Sequence, residues 1–138
     1  MEAATELNKS VFELSTQELT KVYNEVGNRY IDEFKYPVWE RFKDSLSVRD
    51  PNGWLSIKSL IEGKPVIMFL EPNSEKFGIS LEDGEDLVDI LDAIGYLIFY
   101  ITNPEYDFLL AYNDHDYLIV TGEKAQKWMI NTYDIIPT

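Results

Sequence analysis

The stretch that decides the fold runs from Tyr96 to Gly122. It opens with Tyr96-Leu97-Ile98-Phe99-Tyr100-Ile101-Thr102 and breaks at Asn103-Pro104-Glu105. It resumes with Phe108-Leu109-Leu110-Ala111-Tyr112, breaks again at Asn113-Asp114-His115-Asp116, and closes with Tyr117-Leu118-Ile119-Val120-Thr121 before Gly122. Three short apolar runs rich in aromatic and β-branched residues, separated by Asn, Pro and Asp, predict an antiparallel meander. Behind Gly122 a final helix is expected, with Ala125, Trp128 and Met129 facing inward.

Upstream, Asp83 to Ile94 reads as a helix. Leu87, Ile90, Leu91 and Ile94 form an apolar stripe, Glu85, Asp89 and Asp92 an acidic one, and Gly95 is placed to end it. Val66 to Leu70 reads as a buried strand closed by Pro72-Asn73, and Phe77 to Ser80 as a short second one. Trp54 to Ile61 fits a short helix or a strand, and Asp50-Pro51-Asn52-Gly53 is a turn. The first 44 residues look helical. Leu7, Val11 and Leu14 share one helical face, and Ser15-Thr16-Gln17-Glu18 has the spacing of a capping box. Behind it, Leu19, Val22, Tyr23, Val26, Tyr30 and Phe34 keep helical spacing, with Gly27 a weak point. Tyr36-Pro37 interrupts, and Pro37 can open a third helix with Val38, Trp39 and Phe42. The expected class is α+β in a single domain, 1–138. Helices fill 1–44, and a mainly antiparallel sheet of four to five strands occupies 54–138, with an inserted acidic helix and a C-terminal helix.

A chain of 138 residues with 45% hydrophobic and 14% aromatic residues buries a core without a staple. It has no cysteine, so disulfides and thiolate metal sites are excluded. The start, Met1-Glu2-Ala3-Ala4-Thr5-Glu6, lacks the basic and apolar regions of a signal peptide. The longest apolar run, Tyr96 to Ile101, is far short of the roughly 20 residues that span a bilayer. A cytoplasmic protein without membrane or nucleic-acid partners is expected. Nine tyrosines, seven phenylalanines and three tryptophans are more than a core needs, so Tyr106, Tyr112 and Tyr133 are candidate interface anchors.

Charge is the strongest functional signal. Twelve Lys and Arg against 25 Asp and Glu give −13. Residues 71–116 hold 12 of the acids and one base, Lys76. Such a field repels nucleic acid and attracts basic partners. Acidity for solubility alone is the competing explanation. Glu82, Asp83, Glu85 and Asp86 sit where a helix N-terminus welcomes negative charge, but Asp89 and Asp92 lie beyond that turn. A ladder at 85, 89 and 92 repels itself by a few tenths of a kcal/mol per pair. With no Lys or Arg nearby in sequence, it reads as a surface kept acidic for a partner. Asp114 and Asp116 extend that surface and flank the only histidine, His115. An imidazole between carboxylates can serve as a base or metal ligand, yet Asn and Asp also favour tight turns. Phosphate loop, nucleophile elbow, zinc and EF-hand patterns are absent from the sequence, so neither a catalytic residue nor a cofactor is assigned.

Asp107-Phe108-Leu109-Leu110, then Asn113-Asp114-His115-Asp116, then Gly122, within Leu97 to Trp128, resemble small acidic bacterial immunity proteins of contact-dependent and polymorphic toxin systems. The resemblance spans about a quarter of the chain and implies stoichiometric neutralisation of a cognate toxin domain, a nuclease in many such systems, without catalysis. It carries no binding residues. Charge supplies them: Glu82, Asp83, Glu85, Asp86, Asp89, Asp92, Asp114, His115 and Asp116. A nucleic-acid mimic that blocks DNA-binding proteins, and a small enzyme centred on His115, are the alternatives.

Overall fold

The computed structural model describes residues 11–33, 35, 38–72, 76–94 and 98–135. Phe34, Tyr36 and Pro37, the Gly95 helix stop and Leu7 lie outside them, as do Asn73, Tyr96 and Leu97. The described residues contain a seven-stranded sheet with every neighbouring pair antiparallel. The strands are β1 (Val11–Glu13), β2 (Leu46–Arg49), β3 (Val66–Leu70), β4 (Gly78–Leu81), β5 (Phe99–Thr102), β6 (Leu109–Tyr112) and β7 (Tyr117–Thr121). Their spatial order is β1-β4-β3-β5-β6-β7-β2. The meander is therefore real, but four to five strands was an undercount. The two missing strands are the two edges, and both come from the segment preceding residue 54. Val11 pairs with Leu81 rather than joining a helix, and Leu46 pairs with Val120.

Strand parity sorts the core into two halves. Val66, Met68, Phe99, Ile101, Leu110, Tyr112, Leu118 and Val120 point to one face. Ile67, Phe69, Tyr100, Leu109, Ala111 and Ile119 point to the other. Both faces are covered, so β3, β5 and β6 are almost wholly buried and read as continuous apolar runs instead of alternating ones. The first face carries α2 (Gly53–Ser56), α3 (Lys58–Ile61), α4 (Glu85–Ile94) and α5 (Glu123–Tyr133). Trp54 to Ile61 thus resolves as two short helices. In α5, Ala125 and Met129 are buried and Trp128 half-buried, its indole N–H donating to Ser59 Oγ.

The second face carries α1 (Thr16–Tyr30), which buries Leu19, Val22 and Val26. Its capping box is complete. Glu18 N–H donates to Ser15 Oγ at 3.1 Å, and Ser15 N–H to Glu18 Oε1 at 2.8 Å. The helix runs through Gly27 unbroken. The expected third helix is a single 3-10 turn, Val38–Arg41, pinned to the sheet by side chains. Val38 N–H donates to Glu71 Oε1, Trp39 N–H to the Tyr100 hydroxyl, and that hydroxyl to Glu71 Oε1 at 2.5 Å. No described helix is long and apolar enough to cross a membrane.

Candidate functional site

The acidic helix is seated by its start. Gly84 lies so close to α3 that a Cβ there would stand 2.3 Å from the Ile61 carbonyl oxygen. Its N–H donates to the Lys64 carbonyl at 2.8 Å. Asp83 Oδ1 accepts from Glu85 N–H at 2.9 Å and Gly63 N–H at 2.7 Å, and these bonds hold its carboxyl below the usual carboxylate range. Asp83 is therefore a fold-building residue. Leu87, Val88, Ile90 and Leu91 are buried, which turns Glu85, Asp89 and Asp92 outward and leaves Asp86 half-buried. Glu82 is exposed just before the helix. The idea that this ladder has no base nearby needs correction. Lys58 Nζ, 27 positions away in sequence, comes within 3.4 Å of Glu85 Oε1. Both groups are about half exposed, so the pair contributes at most about 1 kcal/mol.

The 113–116 turn is a structural hairpin. Asn113 is buried, and its Oδ1 accepts the N–H groups of His115 at 2.9 Å and Tyr117 at 3.0 Å. Asp116 takes a left-handed φ of 66° and accepts from the Tyr112 hydroxyl at 3.3 Å. His115 projects into solvent, its ring 3.7 Å from Asp114. Its backbone carbonyl accepts from Arg49 Nε. Among the described residues no group of three or more His, Asp and Glu side chains is placed to hold a metal ion.

The two acidic regions start from opposite ends of the sheet. Leu81, which leads into residues 82–85, pairs with Val66 at the beginning of β3. Tyr112, which leads into the turn, pairs with Phe99, and Phe99 pairs with Leu70 at the end of β3. Glu82, Asp83, Glu85 and Asp86 are thus separated from Asp114, His115 and Asp116 by the length of a strand, and Asp89 and Asp92 run back between them.

Sequence reasoning missed two polar centres. Asp50 Oδ2 accepts from the Tyr133 hydroxyl at 2.6 Å and Ser56 Oγ at 3.3 Å, while its carbonyl accepts from the Tyr112 hydroxyl at 2.8 Å. Burial is the main reason the Tyr112 and Tyr133 hydroxyls are pushed up to about 12. Two of the three candidate anchor tyrosines are therefore joints of the fold. The third, Tyr106, is also tied down, since its carbonyl accepts from the Tyr30 hydroxyl at 2.7 Å. The other centre is Glu71, buried beneath the 3-10 turn. With Tyr100 it clamps that turn, and burial followed by the Glu71 charge pushes Tyr23 up to about 12. Neither centre announces itself in sequence, because the partners other than Ser56 lie 29 to 83 positions apart. A shallow groove of about 350 Å3 opens between Lys64, Asn103, Asp107 and Lys124, with charges of both signs.

No protein-family model matches the chain, and neither a curated protein nor a solved structure matches it significantly.

Proposed function

We propose that the protein is a non-catalytic inhibitor of the immunity type. It binds a basic toxin domain, a nuclease, and excludes the substrate by covering the cleft with the outer face of α4. The observation that carries this reading is the exposure of Glu85, Asp89 and Asp92 along one helix, in a segment, 82–92, with six acidic residues and no Lys or Arg. From Glu85 to Asp92 the helix rises about 10 Å over seven residues, so the three carboxylates form a short negative strip. Opposite charge also speeds encounter, which a protective protein needs when its toxin reaches the cytoplasm. The hairpin at 113–116 adds negative potential but lies at another end of the sheet, so it does not belong to the same contact.

The test is an affinity capture from host lysate with the parent protein and with Glu85→Lys, Asp89→Lys and Asp92→Lys combined. The expected result is one stoichiometric basic partner for the parent, and its loss in the triple variant at an unchanged melting temperature. The captured domain should cleave nucleic acid, and added parent protein should titrate that activity to zero. Equal capture by a folded triple variant would refute the α4 contact. Capture of many unrelated DNA-binding proteins would replace immunity with nucleic-acid mimicry.

A further inference from the structure

Strand β2 forms one edge of the sheet among the described residues, where it ends the strand order and pairs on one side only, with β7. Its backbone parity follows from two hydrogen bonds. Asp50 N–H donates to the Asp116 carbonyl, in register with the β2–β7 ladder. Asn113 N–H donates to the Tyr117 carbonyl, so the odd residues of β7 face β6 and its even residues face β2. In an antiparallel ladder such pairs alternate. Leu46, Val48 and Asp50 therefore bond inward to β7. The N–H and C=O groups of Ser47 and Arg49 point away from the sheet.

Of the usual guards this edge has its short length, four residues, and one charged side chain, Arg49. Leu46-Ser47-Val48-Arg49 has no proline, and its register with Val120-Ile119-Leu118-Tyr117 is continuous, with no bulge. No charged side chain of the strand points toward the core. A regular edge with outward N–H and C=O groups can still accept another strand unless it is covered. The side chains also state what would fit. On the core face Leu46 and Val48 are only half-buried, with no strand among the described residues flanking them outside. On the other face Ser47 and Arg49 are exposed, next to a Tyr117 that is itself 41% exposed.

We infer that β2 accepts an extended segment of a partner protein by strand addition, the segment carrying apolar residues at alternate positions and an acidic residue opposite Arg49. Its apolar residues complete the cover over Leu46 and Val48, and its carboxylate meets the guanidinium. A second copy of this chain fits less well. It would offer a serine or a base where the carboxylate belongs, and it would bring together two chains of −13. The inference does not rest on α4, which connects β4 to β5 at the far side of the sheet, so either proposal can fail alone.

The probe is a blocked hexapeptide alternating valine and aspartate, at millimolar concentration, read by amide exchange and by shifts of the backbone resonances. In the free protein the Val48 amide should be protected and those of Ser47 and Arg49 should exchange freely. The peptide should slow Ser47 and Arg49 and shift little beyond β2 and β7. Ser47→Pro removes only an outward N–H, which an edge strand tolerates, and should abolish the effect while the protein stays folded. Arg49→Glu should weaken the aspartate peptide by up to about fivefold and favour its valine–lysine counterpart by a similar factor. Failure of the peptide to protect Ser47 and Arg49 in the folded parent overturns the proposal. So does protection already present without peptide in a dimer that Ser47→Pro dissociates, which would give the edge to a second copy. Equal binding of the lysine peptide to the parent overturns the acidic assignment.

Discussion

Gly84→Ala probes the seam that orients the acidic helix. Gly84 has an ordinary backbone conformation, so an alanine is opposed by space alone. The new Cβ would stand 2.3 Å from the Ile61 carbonyl oxygen and 2.6 Å from Ile61 Cβ, where contacts below 3.0 Å force movement. The obstacle is the backbone of α3 rather than a flexible side-chain end, so the seam must open. Overpacking of this kind costs about 1–3 kcal/mol. Alanine returns about 0.4–1 kcal/mol by restricting the unfolded chain. With the cost in the upper half of that range, because backbone atoms are the obstacle, the net expectation is a loss of about 1–2 kcal/mol, roughly 3–8 °C in melting temperature for a chain of this size. Urea unfolding followed by circular dichroism reads it as a lower midpoint at unchanged slope. Gly63→Ala is the control, since nothing lies within 4 Å of its Cβ and φ is +72°. Its cost is backbone strain of about 1–2 kcal/mol, and Gly63→Asn should recover part of it because Asn tolerates that conformation. A Gly84→Ala protein as stable as the parent would refute the close approach of α4 to α3, and with it the orientation of the acidic face.

Tyr100→Phe removes the donor to Glu71 and the acceptor for Trp39 N–H, and should cost about 2 kcal/mol or more in urea unfolding; a loss under about 0.5 kcal/mol would mean the clamp is not formed. The Asp50 carboxyl is held below its usual range, first by the Tyr133 hydroxyl and then by Asn52 N–H and Ser56. A depressed carboxylate stabilises above its unfolded value near 4 and loses that contribution as pH falls through the lower folded value. Tyr133→Phe should therefore flatten the fall of the urea midpoint below about pH 4, and an unchanged slope would contradict the bond. Asn113→Ala leaves two N–H groups without their acceptor and should cost about 1–3 kcal/mol, whereas His115→Ala should stay within about 0.5 kcal/mol; the reverse order in thermal melts would restore His115 as a central residue. Asp92→Asn should raise stability by about 0.3–1 kcal/mol, since it removes an acid from the last turns of α4, and a fall would show that Asp92 serves the fold.

The interior of the sheet was legible because β3, β5, β6 and β7 are covered on both faces or nearly so, and continuous apolar runs between turn residues have few other readings. The capping box was legible because both of its bonds are local. The edges were not. Leu46-Ser47-Val48-Arg49 alternates cleanly, but four residues between turns carry little local preference, and the pairing that makes them a strand is with Tyr117 to Val120. Val11-Phe12-Glu13 is shorter still and was drawn into a helical pattern by Leu7 and Leu14, although Leu14 N–H donates to the Gly78 carbonyl. The site was legible as composition and not as geometry. Lys58 beside Glu85, Asp83 beneath Gly63 and the Asp50–Tyr133 bond all depend on chain reversals that no local pattern encodes.

The geometry narrows the acidic surface by removing what the fold accounts for. Asp83 and Asp116 hold backbone and tyrosine groups in place, so their charge is a by-product of structure. Glu85 and Asp86 stand in the first turn of α4, where the helix dipole favours an anion. That benefit fades within one turn, so it does not extend to Asp89. At Asp92 the dipole has the opposite sign, and the acid works against the helix that carries it. A helix selected for stability alone would place Lys or Arg there, and α4 has neither in any position. Asp92 is therefore where folding energetics and observed charge disagree, which makes it the sharpest place to look for a partner's contribution.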